Sequence, residues 1–104
     1  MPTVVGLTPK GTKLVLVTAS GPASDVAVGA NASATVALSY GSSEASKILR
    51  PLAILSISGL PDGAVLSGFT ADESGVTLTV RDVTGSGVTV SAGSVSAILL
   101  VEAI

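Results

Sequence analysis

Apolar and polar residues alternate along much of this 104-residue chain. From Ala32 to Tyr40 every second residue is apolar, and Ser or Thr fills most of the positions between them. The same alternation recurs over Gly75–Asp82 and Val88–Ser91. A period of two residues directs alternate side chains to opposite faces of a β-strand, and β-branched residues favour that geometry. The pattern therefore predicts strands that turn one face toward a core.

Three further segments carry apolar residues on both faces: Lys13–Ala19, Leu52–Ser58 and Ser94–Ile104. We expect each to be a regularly alternating strand that is covered on both sides, either in the middle of the fold or by a second chain. A loop folded over the second face is the alternative within one chain. The residues that we expect on outer faces, as contacts with another chain, are Val15, Val17, Ile98, Leu100 and Ile104.

Turn-forming residues interrupt the strands at short intervals, as at Ser20–Pro22, Leu60–Gly63 and Thr84–Gly87. Pro fixes one backbone angle of a turn, and Gly adopts the positive φ that other residues resist. Only Ser43–Leu49 has the composition of a helical turn, which Pro51 would end. We predict an all-β fold, a single β-sandwich domain over residues 1–104 with about eight strands. Its expected type is a jelly roll or β-tulip, with an immunoglobulin-like Greek key as the alternative.

Charged residues make up only 12% of the chain, about half of the ~25% that is usual in soluble domains. A domain of this size buries only about 60–70% of its surface on folding. The outside must therefore be rich in Ser, Thr, Gly and Ala, or be covered by partners. We expect the chain to work as an oligomer or within a larger assembly.

The residue types that carry most enzyme chemistry are scarce. The chain has no Cys and no His, so it offers neither a thiolate or imidazole metal ligand nor an imidazole base for a serine nucleophile. Asp62, Asp72 and Glu73 fall in turns, where acidic side chains bond to local backbone. We predict no enzyme activity, no catalytic residue, no metal, no cofactor and no small-molecule substrate.

Two classes of partner are disfavoured by the same composition. The net charge is -2, and a single Tyr and a single Phe leave no aromatic platform for bases, so we predict no nucleic acid as partner. The longest apolar stretch, Ile48–Leu60, is interrupted by Arg50 and Pro51 and is shorter than the roughly 20 residues of a membrane span. We predict no membrane contact.

The C-terminal third shows a resemblance to a known family. The run Val80–Gly85, followed by Val88–Val90 and Ala92–Gly93, resembles the C-terminal β-hairpins of head decoration (cement) proteins of tailed bacteriophages. The resemblance extends over residues 75–104. It implies a compact β-sandwich or β-tulip without an active site, commonly a homotrimer, bound to the major capsid protein on the capsid exterior of the virion after synthesis in the host cytoplasm.

This resemblance predicts a viral structural protein that stabilises the assembled capsid shell, because a protein that binds only the assembled form shifts the equilibrium toward it. The turn Leu60–Gly63 and the Thr-Val strands are also similar to those of bacterial immunoglobulin-like repeats. The alternative function is thus an immunoglobulin-like binding module of a bacterial surface or adhesin protein. Tandem copies or an export signal would distinguish that alternative.

Overall fold

The computed structural model describes residues 3–7, 11–41 and 48–103, and within these ranges the fold is all-β, as predicted. Its nine strands, one more than the expected eight, are β1 (Thr3–Leu7), β2 (Lys13–Gly21), β3 (Val26–Val28), β4 (Ser33–Tyr40), β5 (Ile48–Ser58), β6 (Ala64–Ala71), β7 (Gly75–Asp82), β8 (Val88–Val90) and β9 (Val95–Ala103). Residues 43–47 of the expected helical turn lie outside the described ranges, and Ile48 and Leu49 begin β5.

Seven of the strands form one antiparallel sheet in the order β5-β9-β2-β4-β7-β6, with β1 paired to β2. All nine residues of β2 pair with β9, whereas only Ala19 and Ser20 pair with β4. The strand β4 therefore runs on beyond the end of β2. The two layers expected of a sandwich are here two parts of one sheet, which curls into a nearly closed barrel whose main strand order ends at β5 and β6.

A glycine allows β4 to cross the end of β2. A Cβ atom added to Gly21 would lie 2.4 Å from the carbonyl oxygen of Ala37, a contact that real side chains do not make. Any larger residue would push the two strands apart at the junction between the two parts of the sheet.

The core lies inside the curl of the sheet. The alternation predicted for β4 and β7 is confirmed, because alternate residues of both strands are buried and those between them are mostly exposed or half-buried. The short pair β3 and β8 adds Val28 and Val90 to the same cluster. The largest fully buried apolar side chains are Val36, Leu38, Val76, Leu78, Val80, Val90, Val95, Leu99 and Val101.

The strand β5 departs from the expected two-residue alternation. Its register with β9 shifts three times, and Leu49, Leu52 and Leu55 are the residues that have no partner in the ladder. A bulge adds one residue to one strand, so three closely spaced bulges turn a period of two into a period of three. The inward side chains are consequently those opposite the buried residues of β9: Ile48, Pro51, Ile54 and Ile57.

The curled core predicts a strong contrast between two valines that are close in sequence. Val80 is fully buried, whereas Val83, just after β7, is 58% exposed. We expect Val80→Ala to lower the free energy of unfolding by about 2 kcal/mol, from two lost methylene equivalents and the cavity left behind. The matched Val83→Ala should change it by less than about 0.5 kcal/mol. Urea denaturation of both variants measures the difference, and equal losses would contradict this description of the core.

Candidate functional site

The two end strands of the main sheet order, β5 and β6, approach each other without pairing. Between them lies a cleft of about 220 Å³, open to solvent, that is lined by Pro51–Ile54 of β5 and Phe69–Ala71 of β6. We call β5, β6 and this cleft the seam. It is the place where the barrel fails to close.

The seam collects most of the large apolar side chains that remain exposed. Beyond it, the large exposed apolar residues of the described chain are Val83 and Ile98. Scattered apolar residues are normal on a protein surface, but a contiguous group marks a contact surface. The exposed members of the seam are Leu49, Leu52 and Leu55 on β5 and Val65, Leu66 and Phe69 on β6.

Leu66 and Phe69 show why the seam is apolar. They lie opposite Val80 and Leu78 of β7, which are fully buried, so all four side chains point to the inner face of the sheet. Leu66 nevertheless remains 38% exposed and Phe69 53% exposed, because β6 is the last strand and the sheet does not close over it. These are core-type residues without a complete core around them.

Charge is nearly absent from the seam. From Pro51 to Ala71 the only charged residue is Asp62, in the turn between the two edge strands. At the start of β5, Arg50 donates a hydrogen bond from Nε to Oε1 of Glu102 on β9, at 2.8 Å. Edge strands of monomeric proteins usually carry charges that oppose association. The seam lacks that protection over most of its length.

The backbone edge of β5 is protected in another way. Its three register shifts break the regular spacing of donors and acceptors, and Pro51 has no N–H to donate. A strand of another protein therefore cannot extend the sheet at β5 through a regular ladder of hydrogen bonds. The seam is suited to contact through side chains.

Two of the acidic residues, Asp82 and Asp72, stabilise turns. Asp82 is buried, and its carboxylate joins the turn after β7 to the turn before β4. The donors to this carboxylate are the Thr84 hydroxyl at 2.6 Å and the backbone amides of Asn31, Thr84, Gly85 and Gly87 at 2.9–3.1 Å. Asp72 accepts hydrogen bonds from the amide and hydroxyl of Ser74 in the same manner.

These hydrogen bonds stabilise the charged form of the Asp82 carboxyl group. The Thr84 hydroxyl holds the pKa of Asp82 well below its usual range, burial opposes this, and the surrounding amides add to the lowering. The Asp82 carboxylate is therefore an ionised structural group of the turns.

Residues 3–7, 11–41 and 48–103 contain no group of three or more acidic, His or Cys residues placed to hold a metal ion. Within those ranges there is also no helix with the length and hydropathy of a membrane span.

The structure distributes the expected contact residues over different environments. Val15 and Val17, expected on an outer face, instead point into the core and are only 5% and 3% exposed, which corrects their placement. Ile98 is 41% exposed and Leu100 is half-buried, both on the outer face of β9. Ile104 lies outside the described residues. Whether any of these residues contacts another chain stays a prediction.

The seam was missed because its sequence signal has a period of three. The run from Ile48 to Ser56 consists of three triplets, each an Ile or Pro, then Leu, then one further residue. A search for triplets would have separated the Leu positions from the inward positions.

Comparison with known proteins adds no relative: no family model, no curated protein and no solved structure matches the chain. The seam is therefore interpreted from its own residues.

The Asp82 carboxylate predicts a pH-dependent contribution to stability. Because its pKa is lowered in the folded state, it stabilises the fold above the unfolded-state value of about 3.8, and this contribution is lost as the pH falls below about 4. We expect Asp82→Asn to lower Tm at pH 7, and the difference from the wild type to shrink between pH 4 and pH 2. The exposed Asp62 provides the control Asp62→Asn, which should leave Tm unchanged at pH 7. A difference that stays constant down to pH 2 would argue against this role.

Proposed function

We propose that this chain is a non-enzymatic structural protein of a virus particle: a homotrimeric decoration protein on the capsid exterior that binds the assembled major capsid protein and stabilises the shell. The observation that carries the proposal is the seam, where most of the exposed large apolar residues lie on two edge strands that carry a single charged residue, Arg50. The resemblance of residues 75–104 to head decoration proteins is the reason for proposing a viral capsid as the assembly.

The shape of the molecule supports a role as a subunit. Its radius of gyration is 14.8 Å, compared with about 13 Å for a compact domain of this length, and its extents are 50 × 21 × 16 Å. An elongated body presents more surface to neighbours than a sphere of the same mass. A specific interface takes about 800 Å² from each partner, roughly one seventh of the 5673 Å² that this chain exposes.

The outer face of β9 is the surface that we assign to the shell. In the register of the sheet, Leu100 lies between Leu16 of β2 and Ala53 of β5, and Ile98 lies beside Ser56. This gives a strip of apolar and hydroxyl side chains on the opposite side of the sheet from the core, bordered at one end by the ion pair of Arg50 and Glu102. The strip adjoins the seam at Ala53, which also lines the cleft, whereas Leu66 and Phe69 of the seam point to the inner face.

Such a protein acts through mass action. Binding that requires neighbouring capsid subunits in their assembled positions lowers the free energy of the shell and leaves that of the free subunits unchanged. No reaction is needed, and the contacts need only exist in the assembled state.

Sedimentation with capsid shells tests the proposal. The shells are assembled from the major capsid protein encoded in the same genome, and the purified chain is added in increasing amounts. We expect it to pellet with the shells to saturation, to remain in solution with unassembled capsid protein, and to raise the temperature at which the shells come apart. A chain that stays in the supernatant at every shell concentration would refute the proposal.

A pair of lysine substitutions locates the contact. Ile98→Lys places a charge on the outer strip and should weaken shell binding at least tenfold, which corresponds to about 1.4 kcal/mol. Thr77→Lys places the same charge on an exposed position of β7, away from the strip, and should bind as the wild type does. Equal binding by both variants would remove the outer face of β9 from the proposal.

A further inference from the structure

We propose that the link between Asp62 and Gly63 is a site of spontaneous covalent modification, at which aspartate converts to isoaspartate in the folded protein. The site lies in the turn that joins β5 to β6, the two end strands of the main sheet order. The inference goes beyond the proposed function and does not rest on it, because the reaction takes place within one chain.

The reaction needs a carboxyl group, the main-chain amide that follows it, and water. The nitrogen of Gly63 attacks Cγ of the protonated Asp62 side chain. A C–N bond forms, and a water molecule leaves, made of the carboxyl hydroxyl and the amide proton. Water then opens the resulting five-membered succinimide ring at either carbonyl. Opening at Cγ restores aspartate, whereas opening at the main-chain carbon leaves the backbone running through Cβ and Cγ, which is isoaspartate.

The Asp62 carboxyl group is available for this reaction. Its side chain is exposed, and in the part of the chain that the structure describes nothing donates a hydrogen bond to it or forms an ion pair with it. The expected bond between this side chain and the local backbone is therefore not formed. Main-chain amides do bind the carboxylates of the other three aspartates, Asp25, Asp72 and Asp82.

The Gly63 amide is available as well. It donates no hydrogen bond among the described residues, although the groups around it are paired: Ala64 N–H donates to Pro61 O at 3.1 Å, and Val83 N–H donates to Gly63 O at 2.9 Å. Glycine also has no side chain to hinder the closing ring. The other three aspartates are each followed by valine or glutamate, whose side chains do hinder it.

Asn31 provides a contrast within the same molecule. An asparagine closes the same ring and loses ammonia in place of water, and Asn31 is the only asparagine of the chain. The attacking nitrogen there would be that of Ala32, whose N–H instead donates a hydrogen bond to Gly29 O at 3.0 Å. The turn after β5 thus differs from this one in leaving both reacting groups unpaired.

The fold itself requires the glycine that makes the site reactive. Gly63 has a φ of 87°, a conformation that other residues resist. A Cβ at this position would also collide with the methyl group of Thr84 in the turn after β7. A larger residue would slow the rearrangement but would disturb the contact between the two turns.

Isoaspartate would lengthen the turn by one main-chain carbon. The extra atom falls inside the segment that the hydrogen bond from Ala64 to Pro61 closes. The bond from Val83 to Gly63 ties the same segment to the turn that Asp82 holds. We therefore expect the rearranged chain to lose stability at the start of β6 and to have a lower Tm than the fresh chain.

Ageing of the folded full-length chain tests the inference. Wild type and Asp62→Glu are kept for several weeks at neutral pH and physiological temperature in heavy-oxygen water. Asp62→Glu retains the charge, but its longer side chain cannot close a five-membered ring. Electron-transfer fragmentation then distinguishes isoaspartate from aspartate at each position. In the wild type we expect at least about tenfold more isoaspartate and heavy oxygen at residue 62 than at Asp25, Asp72 or Asp82. In Asp62→Glu we expect neither at residue 62.

The same chain unfolded in guanidinium chloride shows what the fold contributes. An aspartate followed by glycine rearranges in any flexible chain, and the folded turn should react within about tenfold of that rate because both groups are unpaired. Three results would overturn the inference: similar levels of isoaspartate at all four aspartates, a wild type that ages no more than Asp62→Glu, or a folded state that slows residue 62 by much more than tenfold.

The effect on the turn is measured on the separated products. Reversed-phase chromatography isolates the isoaspartate form, which is refolded and melted beside fresh wild type treated in the same way. We expect the lower Tm in the isoaspartate form, and the same Tm in aged and fresh Asp62→Glu. An isoaspartate form that melts with the fresh protein would contradict the loss of stability inferred for this turn.

Discussion

The antiparallel ladder between β2 and β9 is the interaction on which the rest of the structure depends. It pairs all nine residues of β2 without a register shift and lies in the middle of the sheet, with β5 on one side and β1 and β4 on the other. A slip of one residue by β2 would turn Val17 from the core to the outer face, and the same slip by β9 would turn Leu99 outward. The register of this ladder thus determines which side of the sheet becomes the core and where each outer strand begins.

The register of the hydrogen-bonded pairs is less regular at the outer strands of the sheet. Toward β5 the ladder loses its regular register three times, and beyond β7 the strand β6 carries apolar residues on an inner face that nothing in the described chain fully covers. Both departures fall at the same place, because a curled sheet of six strands in sequence brings its two ends together. The incomplete closure accounts for the cleft and for the exposure of Leu66 and Phe69, and the three bulges of β5 account for its unpaired leucines and its irregular edge.

The sequence predicted where the strands lie more accurately than it predicted which face of each strand is buried. The alternation in β4 and β7 was sufficient because each has one clearly apolar face. In β2, alternation separated Val15 and Val17 from Leu14 and Leu16 but could not tell which set faces the core, since both are apolar. In β5 we expected inward residues at every second position, whereas they recur at every third position from Ile48 to Ile57. The link between Asn31 and Asp82 joins residues 51 positions apart, and no local pattern reports such a contact.

The junction between the two parts of the sheet has a mechanical consequence. Only two residue pairs, Ala19 with Tyr40 and Ser20 with Ser39, connect β2 to β4, so few backbone hydrogen bonds resist bending there. The opening angle of the molecule is consequently held by side-chain packing inside the curl. The cleft lies between β5 of one part and β6 of the other, so a group bound in it would act on the angle between the two parts.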